Sequence, residues 1–200
     1  MTLPPKVAIA SSNTGKIQEI NEMFHGLNIQ FLSQIDLGIR EGEEPHDTFM
    51  ENALSKARHA SRNSGLPALA DDSGICVYAL SGQPGVRSAR FAGHGASDKQ
   101  NINHLMDLMK QQVDCRAYYY CVLVLVRQHN DSAPLFTDGR WCGELLREPR
   151  GEGGFGYDPV FFDPNVCLTG AEMSFDQKNK LSHRGKAVRK MRLLLESGVF

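Results

Sequence analysis

The sequence predicts an α/β protein, and two observations carry this prediction. Segments of strand composition alternate with segments of helical periodicity in the first part of the chain. The segment 116–127 is apolar at consecutive positions, so we expect a strand that is buried on both faces at the centre of a sheet. With 200 residues and 41% hydrophobic content, the chain is long enough to bury a core as one domain, residues 1–200.

The N-terminal segment combines a strand, a polar loop and a helix. Strand-like residues 6–10 lead into the loop, and apolar residues recur at helical spacing after it. The loop offers N-caps, free N–H groups at a helix start and one positive charge, a combination that many phosphate sites share. Its residues are Ser11, Ser12, Asn13, Thr14, Gly15 and Lys16. It is not a P-loop, because Ala10 and Ile17 replace residues which that motif requires. A capped helix and a phosphate site both fit these residues.

The next segments predict a second strand, an acidic loop and a second helix. Strand 28–32 is followed by a polar loop with three acids, Glu41, Glu43 and Glu44. Thr48 and Glu51 match a capping box, which predicts a helix from there to about residue 65. Acids ahead of a helix start are favoured by the helix dipole, and these are also the nearest acids that could join a metal site.

Two adjacent acids, Asp71 and Asp72, stand between the short apolar segments 67–70 and 75–78. We expect one strand to end and the next to begin here, at the two acids and Ser73-Gly74. If the backbone stays extended, the two carboxylates point to opposite sides. A solvated turn explains these residue types. A hard-cation site explains them too, because Mg²⁺ usually takes one or two carboxylates together with substrate phosphates.

The middle of the chain predicts further elements around an irregular segment. Residues 81–93 contain glycines, a proline and arginines, so we expect an exposed segment that holds phosphates or meets a partner subunit. Ser97 caps a helix, and residues 135–146 form a hairpin or a bent strand.

A glycine-rich loop, residues 151–156, formally matches the GxGxxG pattern. A dinucleotide site is excluded by its context, because the strand-like residues 160–162 follow where a helix would have to begin. The loop presents Phe155 and Tyr157 beside Asp158. The two rings fit either core anchors or a stacking platform for a base. Further on, Ser182-His183-Arg184 begins a terminal helix, either as an ordinary cap or as a donor set for an anion or a carbonyl.

The composition of the chain argues against several classes of protein. The net charge is −1, which gives little support to nucleic-acid binding. The longest apolar run, 118–126, is too short for a membrane helix, which needs about 20 residues. The N-terminus lacks a signal-peptide core, so we expect a cytoplasmic protein. Five cysteines are scattered without a CxxC pair, which argues against disulfides or a zinc site.

Five segments, taken in order, give the sequence a specific resemblance. Together they resemble the inosine triphosphate pyrophosphatase family, which acts on non-standard purine nucleoside triphosphates, over nearly the whole chain. The segments are Ser11-x-Asn13-x-x-Lys16, Glu43-Glu44, Asp71-Asp72-Ser73-Gly74, Phe155-Gly156-Tyr157-Asp158 and Ser182-His183-Arg184-Gly185.

The resemblance implies a fold, a reaction and an assembly. The fold would be an elongated, twisted, mixed central sheet flanked by helices, in two lobes with an active-site cleft between them. A homodimer would use magnesium to convert ITP, dITP or XTP to the monophosphate and pyrophosphate. Such a hydrolase keeps these nucleotides out of DNA and RNA.

The resemblance also implies roles for individual residues of this chain. Residues Ser11 to Lys16 would hold the phosphates, with Lys16 neutralising charge. Glu44 and Asp72 would hold Mg²⁺, with Glu43 as a further candidate. Asp72 would accept the proton of the attacking water, with Asp71 beside it and Ser73 on the substrate. The base would be surrounded by Phe155, Gly156, Tyr157, Asp158, Lys178, His183 and Arg184.

Two other function classes compete with the hydrolase. A module that senses purine triphosphates without cleaving them would use the same phosphate and base contacts, but it would rarely need a base beside a metal. A nucleic-acid-binding protein would need a basic surface, which the charge of −1 does not favour.

Overall fold

The computed structural model describes residues 5–198, which form one mixed sheet flanked by helices. The strands are ordered β2-β1-β3-β4-β5-β6-β7 and span β1 Lys6–Ile9, β2 Gln30–Ser33, β3 Ala68–Val77, β4 Arg116–Val126, β5 Leu135–Leu145, β6 Phe161–Asp163 and β7 Leu168–Thr169. The α-helices are α1 Thr14–Met23, α2 Phe49–Ser64, α3 Asp98–Met109, α4 Phe175–Leu181 and α5 His183–Glu196. This confirms the predicted α/β class.

Strand pairing is parallel at one end of the sheet and antiparallel at the other. β1 pairs parallel with β2 and with β3, and the connections between these strands contain α1 and α2. Parallel neighbours need such crossovers, whereas antiparallel ones can follow a short turn. β6 pairs antiparallel with β5 and with β7. The sheet is therefore mixed, as expected.

The chain divides into two compact units, and each unit has its own apolar core. The first unit takes in the described residues of Met1–Asp72, Cys121–Gly139 and Arg184–Phe200. Its core includes Ile9, Ile20, Leu123 and Met191. The second unit consists of Ser73–Tyr120 and Arg140–His183, and its core includes Ile75, Leu105, Trp141 and Phe161.

Local sequence signals explain where the helices begin and end. Asn13 and Thr48 are the N-caps of α1 and α2, and each accepts a hydrogen bond from a main-chain N–H of the first turn. Gly65 ends α2 in the left-handed conformation that favours glycine. Ser97 forms a capping box at α3. The helices predicted from these residues are confirmed.

Strand β3 corrects one prediction. The sequence led us to expect two short strands that meet at the acids, but β3 runs unbroken from Ala68 to Val77. Its residues are buried at nearly every position, so Asp71 and Asp72 lie inside a strand and the turn interpretation is wrong. Gly74 is required at its position, because a Cβ would lie 2.3 Å from the carbonyl oxygen of Gly85.

The segment 81–93 is more ordered than predicted. It contains the 3₁₀ segment Gly85–Arg90, and Ser88 is buried where we expected an exposed loop. Strand β4 confirms its prediction, because residues 121–126 are buried one after another. Among the residues that the structure describes, no helix has both the length and the apolar character needed to cross a bilayer.

Candidate functional site

The two adjacent acids of β3 face two different sets of partners. Asp71 and Asp72 are both buried, with exposed fractions of 2% and 4%. Successive side chains of a strand point to opposite faces, as predicted for an extended backbone. In consequence, each carboxylate meets its own positive charge.

Asp71 is bound by three donors of the first unit. Lys16 Nζ lies 2.6 Å from its Oδ1, while Arg184 Nε and the Cys121 thiol donate to Oδ2 at 3.1 and 3.4 Å. Burial, the largest influence, would raise the pKa of Asp71, but Arg184, Lys16 and Lys56 together hold that pKa well below its usual range. Asp71 is therefore an ionised carboxylate at neutral pH.

Arg184, the second residue of α5, is enclosed between two carboxylates. Its guanidinium is 1% exposed and pairs with Glu19 of α1 as well as with Asp71. Glu19 follows Lys16 by three residues, so both side chains leave α1 on the same face. Helix α1 thus supplies one cation and one anion to the same buried cluster.

Asp72 shares a lysine with Glu44. Lys56 Nζ, from α2, lies 2.8 Å from Asp72 Oδ1 and 2.8 Å from Glu44 Oε1. Burial would lower the pKa of Lys56, but the carboxylates of Asp72 and Glu44 raise it above its usual value. Burial raises the pKa of Asp72, and the positive charge of Lys56, which acts to lower that pKa, does not outweigh the effect of burial. Among the described residues, Asp72 Oδ2 is buried without a hydrogen-bond partner.

The predicted phosphate loop lies at the start of α1. Asn13 Oδ1 accepts a hydrogen bond from the Lys16 N–H at 3.0 Å, and Ser11 Oγ accepts one from the Asn13 N–H at 3.2 Å. Ser12 donates to Glu41, an acid of the polar loop. Thr14 and Gly15 are the first two residues of α1, so their N–H groups belong to the end that attracts anions.

The second unit holds the glycine-rich loop and Lys178 together. Asp158 is buried, and its Oδ2 accepts from the Phe155 N–H at 2.9 Å and from Lys178 Nζ at 2.6 Å. Lys178 Nζ also lies 4.4 Å from the centre of the Phe155 ring. Gly154 allows this contact, since it has a φ of +73° and a Cβ there would lie 2.2 Å from Asp158 Oδ2.

The other aromatic residues of this unit are packed more deeply. Tyr157 is buried, and its hydroxyl donates to the Ser88 carbonyl oxygen at 2.9 Å, so its ring anchors the core. The His183 ring stacks on Tyr119 with ring centres 4.5 Å apart and planes only 6° apart. Gly156 donates from its N–H to Asp98. Ser73 is half-buried on β3.

Sequence reasoning missed three residues of the first unit. Lys56, Glu19 and Cys121 each contact one of the predicted site residues. A signal for Lys56 existed, because it is a charged residue on the alanine-rich buried stripe of α2. Glu43 is exposed, and it is Glu44 that joins Asp72 through Lys56. Within residues 5–198, no three acids, histidines or cysteines are grouped as metal ligands.

The structure is that of an α/β protein with a mixed sheet. Its first unit holds two buried carboxylates that pair with lysines, and one of these lysines, Lys16, lies in the first turn of α1. A family model described as the Ham1 family matches residues 7–194. The chain belongs to the Ham1 family.

Two curated relatives and one solved structure resemble this chain over nearly its whole length. A dITP/XTP pyrophosphatase of Nitrosomonas europaea is 54% identical over 93% of this chain and 92% of its own. One of Chromobacterium violaceum is 52% identical over 92% and 93%. The structure of a HAM1 protein from Coxiella burnetii has a TM-score of 0.90 at 42% identity, covering 98% of this chain and 100% of that one.

Proposed function

We infer that the protein hydrolyses non-standard purine nucleoside triphosphates, ITP, dITP and XTP, to the monophosphate and pyrophosphate. One observation carries this inference: two adjacent buried carboxylates each face a lysine, in a chain whose relatives are named dITP/XTP pyrophosphatases. Water adds to the α-phosphorus, and the bond to the oxygen that bridges to the β-phosphorus breaks. This removes such nucleotides before they enter DNA or RNA.

The phosphates bind at the start of α1 in this proposal. The residues Ser11–Lys16 offer hydroxyls, helix N–H groups and the Lys16 ammonium, all of which favour an anion. The ion pair with Asp71 holds Lys16 in place, and Asp71 stays ionised because Arg184 and Lys16 stabilise its charge. Asp71 therefore orients the phosphate-binding lysine.

Glu44 and Asp72 fit a magnesium ion. Lys56 already places one cationic group against both carboxylates, and Asp72 Oδ2 is a buried oxygen without a partner among the described residues. Mg²⁺ prefers such oxygen ligands and takes few of them from the protein. When bound, the ion neutralises charge on the phosphates. Glu43, which is exposed, remains a further candidate.

Asp72 is proposed to accept the proton of the attacking water. Its raised pKa makes it a better proton acceptor than Asp71, whose pKa is lowered by its cationic neighbours. The two acids thus divide the work: Asp71 holds the lysine and Asp72 takes the proton.

The residues proposed for the base are those that the family resemblance implies. Phe155 offers a ring for stacking, and Lys178 can donate to the C6 oxygen of hypoxanthine or xanthine, whereas adenine has an amino group there. His183, Ser73 and the loop residues Gly156, Tyr157 and Asp158 complete the proposed set. Arg184 contacts Glu19 and Asp71 in the structure, so its role at the base remains a prediction.

We further propose a cytoplasmic homodimer, on the strength of the family resemblance. The net charge of −1 argues against nucleic acid as a partner. Gel filtration with light scattering gives the mass of the assembly.

The test is pyrophosphate release from ITP, dITP, XTP, GTP and ATP, with and without Mg²⁺. We expect turnover of the first three with Mg²⁺ and little of ATP. Asp72→Asn should abolish turnover with an intact fold, whereas Asp107→Asn, at a carboxylate that is 65% exposed, should have no effect. Tight ITP binding without any product would contradict the hydrolase and favour a sensing module.

A further inference from the structure

A basic groove runs along one side of α2, in the first unit. We use this name for the cavity of about 390 Å³ that is lined by His46, Glu51, Leu54, Ser55, Arg58, His59 and Arg62. It uses neither Lys56, which pairs with Glu44 and Asp72, nor the phosphate loop at α1. The proposed catalytic roles leave this groove without a function.

Helix geometry concentrates positive charge in the groove. Ser55, Arg58 and Arg62 are three and four residues apart on α2, so their side chains share one face of the helix. Two arginines at this spacing repel each other unless an anion lies near both. Glu51, the one acid in the lining of the groove, accepts a hydrogen bond from the Thr48 hydroxyl at 2.6 Å, so part of its carboxylate is used at the N-cap.

Several donors of the groove have no partner in the described chain. Arg58 donates from Nη2 to the Asp131 carbonyl oxygen at 3.3 Å, but its Nε is buried without a hydrogen-bond partner among the described residues. The exposed Arg62 guanidinium makes no hydrogen bond or ion pair within residues 5–198. His59 Nε2 lies 2.9 Å from the Arg40 carbonyl oxygen, which fixes the ring at the groove.

We propose that the basic groove binds a phosphate-bearing anion, at a site separate from the start of α1. Planar guanidinium groups match phosphate oxygens in pairs, and the Ser55 hydroxyl and the imidazole of His46 add donors. The anion would relieve the repulsion between Arg58 and Arg62. Inorganic phosphate and the phosphate of a larger ligand share this chemistry.

The experiment follows the imidazole NMR signals of the chain's 7 histidines while inorganic phosphate replaces chloride at constant ionic strength and pH. His46→Gln and His59→Asn assign the two groove signals. We expect these two signals to shift in a saturable way. Arg62→Gln should weaken phosphate binding by about fivefold or more, because a charged hydrogen-bond donor is lost.

Two controls make the result specific. Arg116→Gln removes the same charge from an arginine of the second unit that is 69% exposed, and it should change nothing. Lys16→Ala removes the lysine of the phosphate loop and should leave the groove signals responsive. The proposal is overturned if Arg62→Gln binds phosphate as the unmodified protein does, if Lys16→Ala abolishes the shifts, or if they do not saturate. Arg58→Lys, which keeps the charge but loses the planar fork, gives a second variant with the same expected weakening.

A larger ligand is tested by the same signals with pyrophosphate and a nucleoside monophosphate. Tighter binding of either than of inorganic phosphate, lost in Arg62→Gln, identifies a phosphorylated metabolite as the ligand. The readout contains no turnover, so it does not depend on the proposed hydrolysis.

Discussion

Replacing Lys56 by glutamine should destabilise the protein far more than an ordinary loss of a surface ion pair. Lys56 Nζ lies 2.8 Å from both Asp72 and Glu44, and the lysine and Asp72 side chains are only 12% and 6% exposed. Breaking a buried pair costs about 3–5 kcal/mol, because a charge is left without compensation. Glu44 is 28% exposed and can be hydrated in part, so we take the lower end, about 3 kcal/mol.

The assay is chemical and thermal unfolding of matched variants. A loss of about 3 kcal/mol corresponds to a midpoint lower by about 6–12 °C for a chain of this size. Lys190→Gln is the control, since Lys190 pairs with Asp138 at the same 2.8 Å while both side chains are about half exposed. Such a surface pair is worth about 0–1 kcal/mol.

The difference in stability between the two variants tests whether burial makes the Lys56 ion pairs costly to break. If Lys56→Gln lost no more stability than Lys190→Gln, the burial argument for the Asp72–Lys56–Glu44 group would be refuted. Mg²⁺ should stabilise Lys56→Gln more than the unmodified protein, because the two carboxylates then lack their ammonium partner. An equal effect of Mg²⁺ on both proteins would contradict the proposed metal site.

Three further predictions concern Asp71, Gly154 and Lys178. The pKa of Asp71 is lower in the fold than the unfolded value of about 3.9, so its stabilisation is complete above that pH and is lost as pH falls toward the folded pKa. The stability gap between the unmodified protein and Asp71→Asn should therefore shrink below about pH 4 in urea unfolding; a constant gap would count against it. Gly154→Ala should lower the free energy of unfolding by about 1–3 kcal/mol, since its Cβ would meet Asp158 at a φ of +73°; an unchanged unfolding midpoint would show that the loop adjusts. Lys178→Gln should raise KM for ITP more than it lowers kcat, and equal effects on both would argue against a role in binding the base.

The sequence correctly predicted those helices and strands whose position depends on residues close by in the chain. The caps at Asn13, Thr48 and Ser97 and the stop at Gly65 all depend on neighbouring residues, and the structure has helices at those bounds. The consecutive apolar residues of β4 likewise predicted its burial. Strand β3 was predicted wrongly, because Asp, Ser and Gly resemble a turn unless distant cations compensate the acids.

The same limit applies to the candidate site. Lys16, Glu44, Asp71 and Asp72 were recognised from residue type and order, whereas Lys56 and Glu19 were missed because their partners lie in other segments. Pairings over such separations depend on the tertiary fold, which residue type alone does not encode. The basic groove differs in this respect, because its lining residues all fall within positions 46–62.

The buried cluster around Arg184 links the two ends of the chain, and this has a consequence for how the protein is made. Arg184 follows Glu19 by 165 positions and Asp71 by 113. While the ribosome is still making the chain, α1 and β3 emerge with two carboxylates whose shared counter-charge has not yet been translated. Burying them before that point would be costly. We therefore expect the first unit to close only after α5 has left the ribosome, so that nascent chains stalled before Arg184 remain open to protease while the finished protein resists it.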